Sequence, residues 1–463
     1  MMTRFGHLTR VLFLTAVLSV LIPAIAKGDP LPVEIPFLDV WSLVKENALS
    51  EKASFLELEA IQIEKERISH ESAPRIYLDV RAFSTDDPAV SFMSILGQRE
   101  IRTGDFASES LNYPGYQFYQ KATLGADWNL YDGGLRSARL RSEEKALLAK
   151  TYGAQYDTLN LYHETLLLFG TFKIFQNESS QFESLSDTTR NLLGNYRIGV
   201  KRNPLGYSGL LGLKSVANRI KAAISENDSR IRLVKNTLEE RGAGLPKRWI
   251  PAKESGKESI LTFADDYLKQ NENSFAEKKS PRAEMMFAEA QASELQIERE
   301  KAKTRPQVGL FSEGYLADGN RDAAASYVMG LYLRWNLLNP ETYRKTDQAR
   351  ISASALKARA EDLQLQEKIE YENASLSASA LRQRIALLEE NTALLEEQLK
   401  TSQKLYASGS INVLQLVEVI NQNLDLTIRL GNAEVEYLQA KIAQAKGSGV
   451  EIPFSGKRGP YAE

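Results

Sequence analysis

The chain contains no cysteine among its 463 residues. Disulfides, thiolate zinc sites, cysteine catalysis and a lipid-modified N-terminal cysteine are excluded together. It has only three histidines, so a histidine-rich metal centre is not expected. Neither sign of charge dominates: 58 Lys and Arg stand against 60 Asp and Glu, a formal net charge of −2. Binding to nucleic acid needs a net positive surface, so no nucleic-acid partner is expected. A nucleotide-binding glycine loop, a Gly-x-Ser-x-Gly elbow and a zinc-ligand motif are also missing. No catalytic, cofactor or metal site is therefore expected. Long apolar runs are scarce too. Residues 11–22 form one, preceded by Arg4 and Arg10 and followed by Ala24-Ile25-Ala26. That pattern reads as a signal peptide over residues 1–26, with an uncleaved anchor as the alternative. No later run approaches the roughly eighteen apolar residues of a membrane helix. The expected location is thus periplasmic, extracellular, or in an outer membrane as a β-barrel.

What is present is a tandem repeat. Pro74 and Pro306 each end a helical pattern. Trp128-Asn129-Leu130-Tyr131 then answers to Trp335-Asn336-Leu337-Leu338, and Tyr196-Arg197-Ile198-Gly199 to Tyr406-Ala407-Ser408-Gly409. From Trp to Tyr is 68 residues in the first copy and 71 in the second. From Pro to Trp is 54 and 29, so the first copy carries an insertion over residues 85–116. Three matches in one order point to duplication of a large supersecondary block. The expected organisation is a first repeat over 27–245, a linker over 246–261, a second repeat over 262–447 and a tail over 448–463.

Within each copy the apolar period changes. Residues 37–70 read as one helical run. Ile76, Leu78 and Val80 then alternate with Tyr77, Asp79 and Arg81. Ala122, Leu124, Ala126 and Trp128 alternate with Lys121, Thr123, Gly125 and Asp127. In the second copy Met329, Leu331, Leu333 and Trp335 alternate with Val328, Gly330, Tyr332 and Arg334, while residues 308–315 are ambiguous. Each copy is expected to hold two strands, apolar on one face and polar on the other. A proline-free helical stretch follows each pair, over 135–196 and around 381–406. Its steps of three and four favour coiled-coil packing. Returning helices are expected over 209–241 and 413–446, with Gly199 and Gly409 suited to the reversals. His70 and His163 read as helix-surface residues.

Four strands cannot close a membrane barrel, which needs about eight. An open sheet in lipid leaves edge N–H and C=O groups unpaired, at several kcal/mol each. The strands must pair with other copies or lie outside a membrane. Several protomers would make one composite barrel, polar inside, with helical hairpins packed into a tube below it.

With those motifs in place, the sequence resembles the outer membrane factor (TolC-like) family of bacterial export channels. The likeness lies in residues 128–134, in Tyr196-x-x-Gly199 and in residues 406–414, with further traces in the insertion. It implies a mixed, mainly α fold: a duplicated helix-strand-strand-helix-helix repeat. It further implies a homotrimer with a composite twelve-stranded β-barrel in outer membrane lipid and a long α-helical periplasmic tunnel. The implied function is the passive channel component of a tripartite efflux or type I secretion system, gated at its periplasmic tip. A periplasmic adaptor (membrane fusion) protein and an inner-membrane transporter are the implied partners. The alternative is a periplasmic coiled-coil adaptor or scaffold without a barrel.

The resemblance assigns tip and adaptor-docking roles to Tyr196, Gly199, Lys201, Arg202, Tyr406, Gly409, Ser410 and Asn412. It assigns a pore constriction to Gln415 and Glu418. The charged latch implied there is altered by Ile411, Gln415, Pro204 and Leu205, and only Glu418 keeps its charge. Lys121, Thr123, Asp127, Tyr332 and Arg334 would face the lumen, or else form the polar face of a soluble sheet. Trp128 and Trp335 are expected either as interfacial aromatic anchors or as packing where sheet meets helix.

Overall fold

The computed structural model describes residues 32–196, 204–252, 259–268 and 279–447. The expected signal peptide, the tail after 447, and Gly199, Lys201 and Arg202 lie outside the described residues.

The chain opens with β1 (Val33–Ile35), α1 (Phe37–Asn47) and α2 (Leu49–His70). The expected single helix is two, because Ala48 takes extended backbone with ψ 114°. The break lets α1 bury Phe37, Val40, Trp41 and Val44 while α2 keeps its charged faces in water. Next come β2 (Arg75–Thr85), α3 (Pro88–Gly97), a 3₁₀ turn (Thr103–Phe106) and α4 (Ser108–Asn112). Strand β3 (Gln117–Tyr131) leads into α5 (Leu135–Asn195) and α6 (Pro204–Arg241). Helix α6 begins at Pro204 rather than at 209, a proline being well suited to a first helical turn. The second half runs β4 (Trp249–Pro251), α7 (Ile260–Tyr267), α8 (Pro281–Ala302), β5 (Gln307–Asp318), β6 (Ala324–Arg334), α9 (Pro340–Ala407) and α10 (Val413–Gly447). The stretch left ambiguous by pattern, 308–315, is strand.

Helix α5 has 61 residues and α9 has 68, so each extends about 90–100 Å. Both need a firm start. Asp132 caps α5: its carboxylate accepts from the N–H of Gly134 at 3.0 Å and of Arg136 at 2.7 Å. Gly133 and Gly134 sit at φ +74° and +86°, in the left-handed region. A Cβ on Gly133 would stand 2.7 Å from the Ala302 carbonyl. For α9, Asn339 caps the N–H of Thr342 and Pro340 opens the helix.

The helical core falls into two apolar clusters. The first, near the middle of α5, gathers Phe37, Tyr162, Phe169, Trp249, Phe263 and Tyr437. Phe37 meets Tyr162 edge-on at 5.5 Å, and Phe169 stacks on Phe263 at 5.9 Å. The second, toward the ends of the hairpins, gathers Phe182, Leu213, Ile220, Leu416 and Ile420. Between them lies a polar layer of Glu178 on α5, Asn227 on α6, and Gly431 with Glu434 on α10, all three polar side chains buried. A Cβ at Gly431 would fall 1.7 Å from Glu178 Oε1, so a larger residue there would have to push that carboxylate aside. Among the described residues no helix is long and apolar enough to cross a membrane.

Candidate functional site: an open sheet and a helical tip

The sheet has the order β2-β3-β5-β6, antiparallel throughout. Strands β2 and β6 are edges in the protomer. Register fixes the faces. Leu78 pairs with Leu124, Ala122 with Leu316, and Leu310 with Leu331. With Ile76, Val80, Met329 and Leu333 these form one continuous apolar face. It is bare: Leu78 is 68% and Leu331 70% exposed. Each such side chain left in water forgoes about 2 kcal/mol of burial.

The other face carries Lys121, Thr123, Asp127, Tyr332 and Arg334 together, because each alternates with an apolar neighbour in the registered strands. Pattern alone had not joined them to Tyr77, Glu313 and Tyr315, which share the face. The Tyr77 hydroxyl donates to Glu313 at 2.5 Å, and Tyr315 donates to the same carboxylate. Lys121 Nζ lies 4.6 Å from the centre of the Tyr315 ring. Tyr77 reaches Glu313 by crossing Gly125, where a Cβ would stand 2.2 Å from its ring. Tyr332 covers Gly309 in the same way, at 2.3 Å. Glycine at both places leaves room for a tyrosine ring to lie flat across the neighbouring strand.

Trp128 and Trp335 take equivalent places. The Trp128 indole N–H donates to the Ser72 carbonyl at 2.8 Å, and that of Trp335 to the Thr304 carbonyl at 3.0 Å. Each carbonyl lies two residues before the proline that separates helix from strand. Both rings remain half-exposed. Each tryptophan therefore ties the sheet to the helices and still presents an aromatic surface.

At the far end the two hairpins meet. The Tyr196 hydroxyl donates to the Gly206 carbonyl at 2.7 Å. A Cβ on Gly209 would stand 2.2 Å from Val413 and 2.6 Å from the Tyr196 hydroxyl, so α6 and α10 are in close contact. Tyr406 is half-buried against the second cluster. Burial first, and neighbouring Tyr196 second, push its hydroxyl pKa up. Helix α9 ends in a Schellman turn: Ser410 N–H donates to Leu405, Gly409 N–H to Tyr406, and Gly409 sits at φ +77°. The Ser408 and Ser410 hydroxyls are 2.9 Å apart. Helix α10 then opens with a reciprocal capping pair: Asn412 Oδ1 accepts from Gln415 N–H at 3.0 Å, and Gln415 Oε1 from Asn412 N–H at 3.1 Å. Gln415, expected at a constriction, is thus engaged in holding the helix start. Glu418, one turn on, is exposed and accepts from Gln422 at 3.1 Å.

Sequence reasoning had missed what continues from there. Gln415, Glu418, Gln422, Asp425, Arg429 and Asn432 are exposed at alternating steps of three and four, a polar stripe along α10. Arg219 of α6 pairs with Asp425 at 2.8 Å beside it. His163, expected on a helix surface, is instead buried, its Nδ1 without a hydrogen-bond partner. Burial drives its pKa down to about 3, with Lys446 adding to the effect, so it is a neutral core residue. His70 is exposed. Among the described residues no three side chains are grouped to hold a metal ion.

No protein-family model and no curated protein sequence matches the chain. Solved structures do. The CmeC outer membrane channel of Campylobacter jejuni superposes with a TM-score of 0.72 at 12% identity, covering 93% of this chain and 92% of that one. The outer membrane protein VceC of Vibrio cholerae gives 0.68 at 14%, covering 90% and 97%. The open state of the MtrE outer membrane channel of Neisseria gonorrhoeae gives 0.69 at 12%, covering 89% and 88%. Over about nine-tenths of its length, then, this chain has the fold of the bacterial outer membrane channels.

Proposed function

We propose that the protein is the outer membrane channel of a tripartite export system, of the efflux or type I secretion kind. One observation carries this reading: a four-stranded sheet, apolar and bare on one face, polar on the other, with two free edges. Such a sheet is stable in lipid only when neighbouring copies pair edge to edge into a closed ring. Three copies give a twelve-stranded barrel whose lumen is lined by Lys121, Thr123, Asp127, Tyr332 and Arg334. The helices, about 90–100 Å long, form a tunnel reaching across the periplasm.

The conduit is passive. Its tip, built on Tyr196, Gly199, Lys201, Arg202, Tyr406, Gly409, Ser410 and Asn412, is the docking point for a periplasmic adaptor coupled to an inner-membrane transporter. The polar stripe of α10 lines the tunnel. Three copies of Glu418 near a narrow tip focus a negative potential and favour cations. Gln415 contributes through the helix cap rather than through charge. Trp128 and Trp335 stand at the periplasmic surface of the outer membrane.

Purified full-length protein in a planar bilayer tests this. Discrete, cation-preferring conductance steps are expected, with Glu418→Gln weakening the preference. A chain that stays soluble without detergent and forms no pore would overturn the channel in favour of a periplasmic scaffold.

A further inference from the structure

Strands β5 and β6 are joined by a short turn, whereas β2 and β3 are joined by the insertion bearing α3, the 3₁₀ turn and α4. The insertion is packed against one face of the sheet. Tyr119, 1% exposed, donates to the Ser91 carbonyl of α3 at 3.4 Å. By alternation Tyr119 shares its face with Lys121 and Thr123, the polar face. Ala317, which pairs with Lys121, lies 3.4 Å from where a Cβ on Gly97 would stand. A Cβ on Gly319 would stand 2.7 Å from the Tyr119 ring and 3.0 Å from Gln98 Nε2.

Two polar ties hold the insertion in this position. Gln98 is buried, and its Oε1 accepts from the Arg321 N–H at 2.7 Å. The Arg321 guanidinium donates to Asp105 at 2.7 Å, with both side chains only 14% exposed. So α3 sits over the polar face, away from Leu78 and Leu124. Its remaining surface is apolar and uncovered in the protomer: Val90, Met93 and Leu96, Met93 being 62% exposed.

We propose that second and third copies of this chain cover that surface, so that α3 from each protomer forms an apolar collar across the barrel mouth. The inference rests on the channel reading above, in which the polar face is the lumen. A helix on that face projects toward the barrel axis, and ring closure through β2 and β6 brings three such helices to one level. An apolar constriction in a polar pore resists wetting. The collar slows the passage of water and bulky polar solutes without abolishing ion conductance. Cargo with apolar surface of its own satisfies Val90, Met93 and Leu96 as it passes. The collar is a second barrier, at the opposite end from the tip.

The absence of native cysteine makes a clean test possible. Met93→Cys in the full-length protein in membranes is treated with a short bis-maleimide. Subunit-to-subunit crosslinking is expected, and none for Leu78→Cys on the outside of the ring. A Met93→Cys trimer that reacts with a monofunctional maleimide yet never crosslinks would sink the collar. The second readout uses Thr123→Cys, deeper in the lumen, labelled in intact cells by a bulky impermeant maleimide. Changing Val90, Met93 and Leu96 together to Ser is expected to raise the labelling rate several-fold. Equal rates would count against the collar whatever the state of the tip. Loss of pore formation in the unmodified protein would instead remove the channel reading itself, and the collar with it.

Discussion

The two halves of the chain build the same shape with different chemistry. In both, a tryptophan indole near the end of a strand holds the carbonyl of a helix-to-strand turn, at 2.8 and 3.0 Å. In both, a helix longer than sixty residues follows. Yet the first half enters that helix through Asp132 and two left-handed glycines, and the second through Asn339 and Pro340. The first joins its strands by a folded insertion, the second by a tight turn. What the halves share is therefore geometry at the seam between sheet and helix. The turns around that seam are free to differ, provided each satisfies its helix N-terminus.

The sharpest way to break this comparison is at the helix entries. Gly133→Ala puts a Cβ into the left-handed region and within 2.7 Å of a backbone carbonyl that cannot yield cheaply. A loss of about 3 kcal/mol is expected in denaturant unfolding. Asn339→Ala, at the corresponding entry, removes only a cap and should cost about 1 kcal/mol. Equal losses would show that the first entry is not strained in the way described.

A second contrast sets the polar layer against the apolar clusters on either side. Burial pushes the Glu178 carboxyl up to about 7, with Glu226 adding and Arg230 opposing. Burial pushes Glu434 up to about 8, with Glu389 and Glu178 adding. An acid whose pKa is higher folded than unfolded keeps its proton more firmly in the fold. Stability should therefore fall as pH rises from the ordinary carboxylate range, near 4.5, through about 8. At about 1.4 kcal/mol per unit, the loss should be several kcal/mol. Melting curves across that window check it, and Glu178→Gln with Glu434→Gln should flatten the dependence. An unchanged slope in the double variant would place the titration elsewhere.

The smaller tests bear on the ends of the molecule. Asn412→Ala removes one arm of the capping pair with Gln415 and should cost about 1 kcal/mol in thermal unfolding. Trp128→Phe and Trp335→Phe each lose one indole hydrogen bond, about 1 kcal/mol apiece. Their effects should match within a few tenths of a kcal/mol and should add, since the two contacts are separate. A strong inequality between them would end the equivalence of the two seams.

Much of this was legible in residue order. Alternation placed Leu78, Leu124 and Leu331 on one kind of face and Lys121 and Tyr332 on the other, because a strand's side chains have a period of two. The tip glycine Gly409 was legible as a reversal, since a left-handed residue there favours glycine. Other features were hidden. Residues 37–70 have unbroken helical spacing, and only packing of Trp41 and Val44 into the first cluster shows why the chain bends at Ala48. His163 and Glu178 look like surface residues by type, and burial depends on helices far away in sequence. The resemblance placed Gln415 at a constriction, and residue order did not show that its amide also caps its own helix.

By itself the sequence determined most of the elements: their kind, their two-faced character and their duplication. Those follow from local periodicity and from the stops that proline, glycine and capping residues impose. Only the tertiary structure decided the partners. That β3 lies beside β5, that the insertion packs on the polar side, and that two carboxylates share a buried layer all depend on contacts between distant segments. A local period shows that a face exists; only the chain's return through space shows what lies against it.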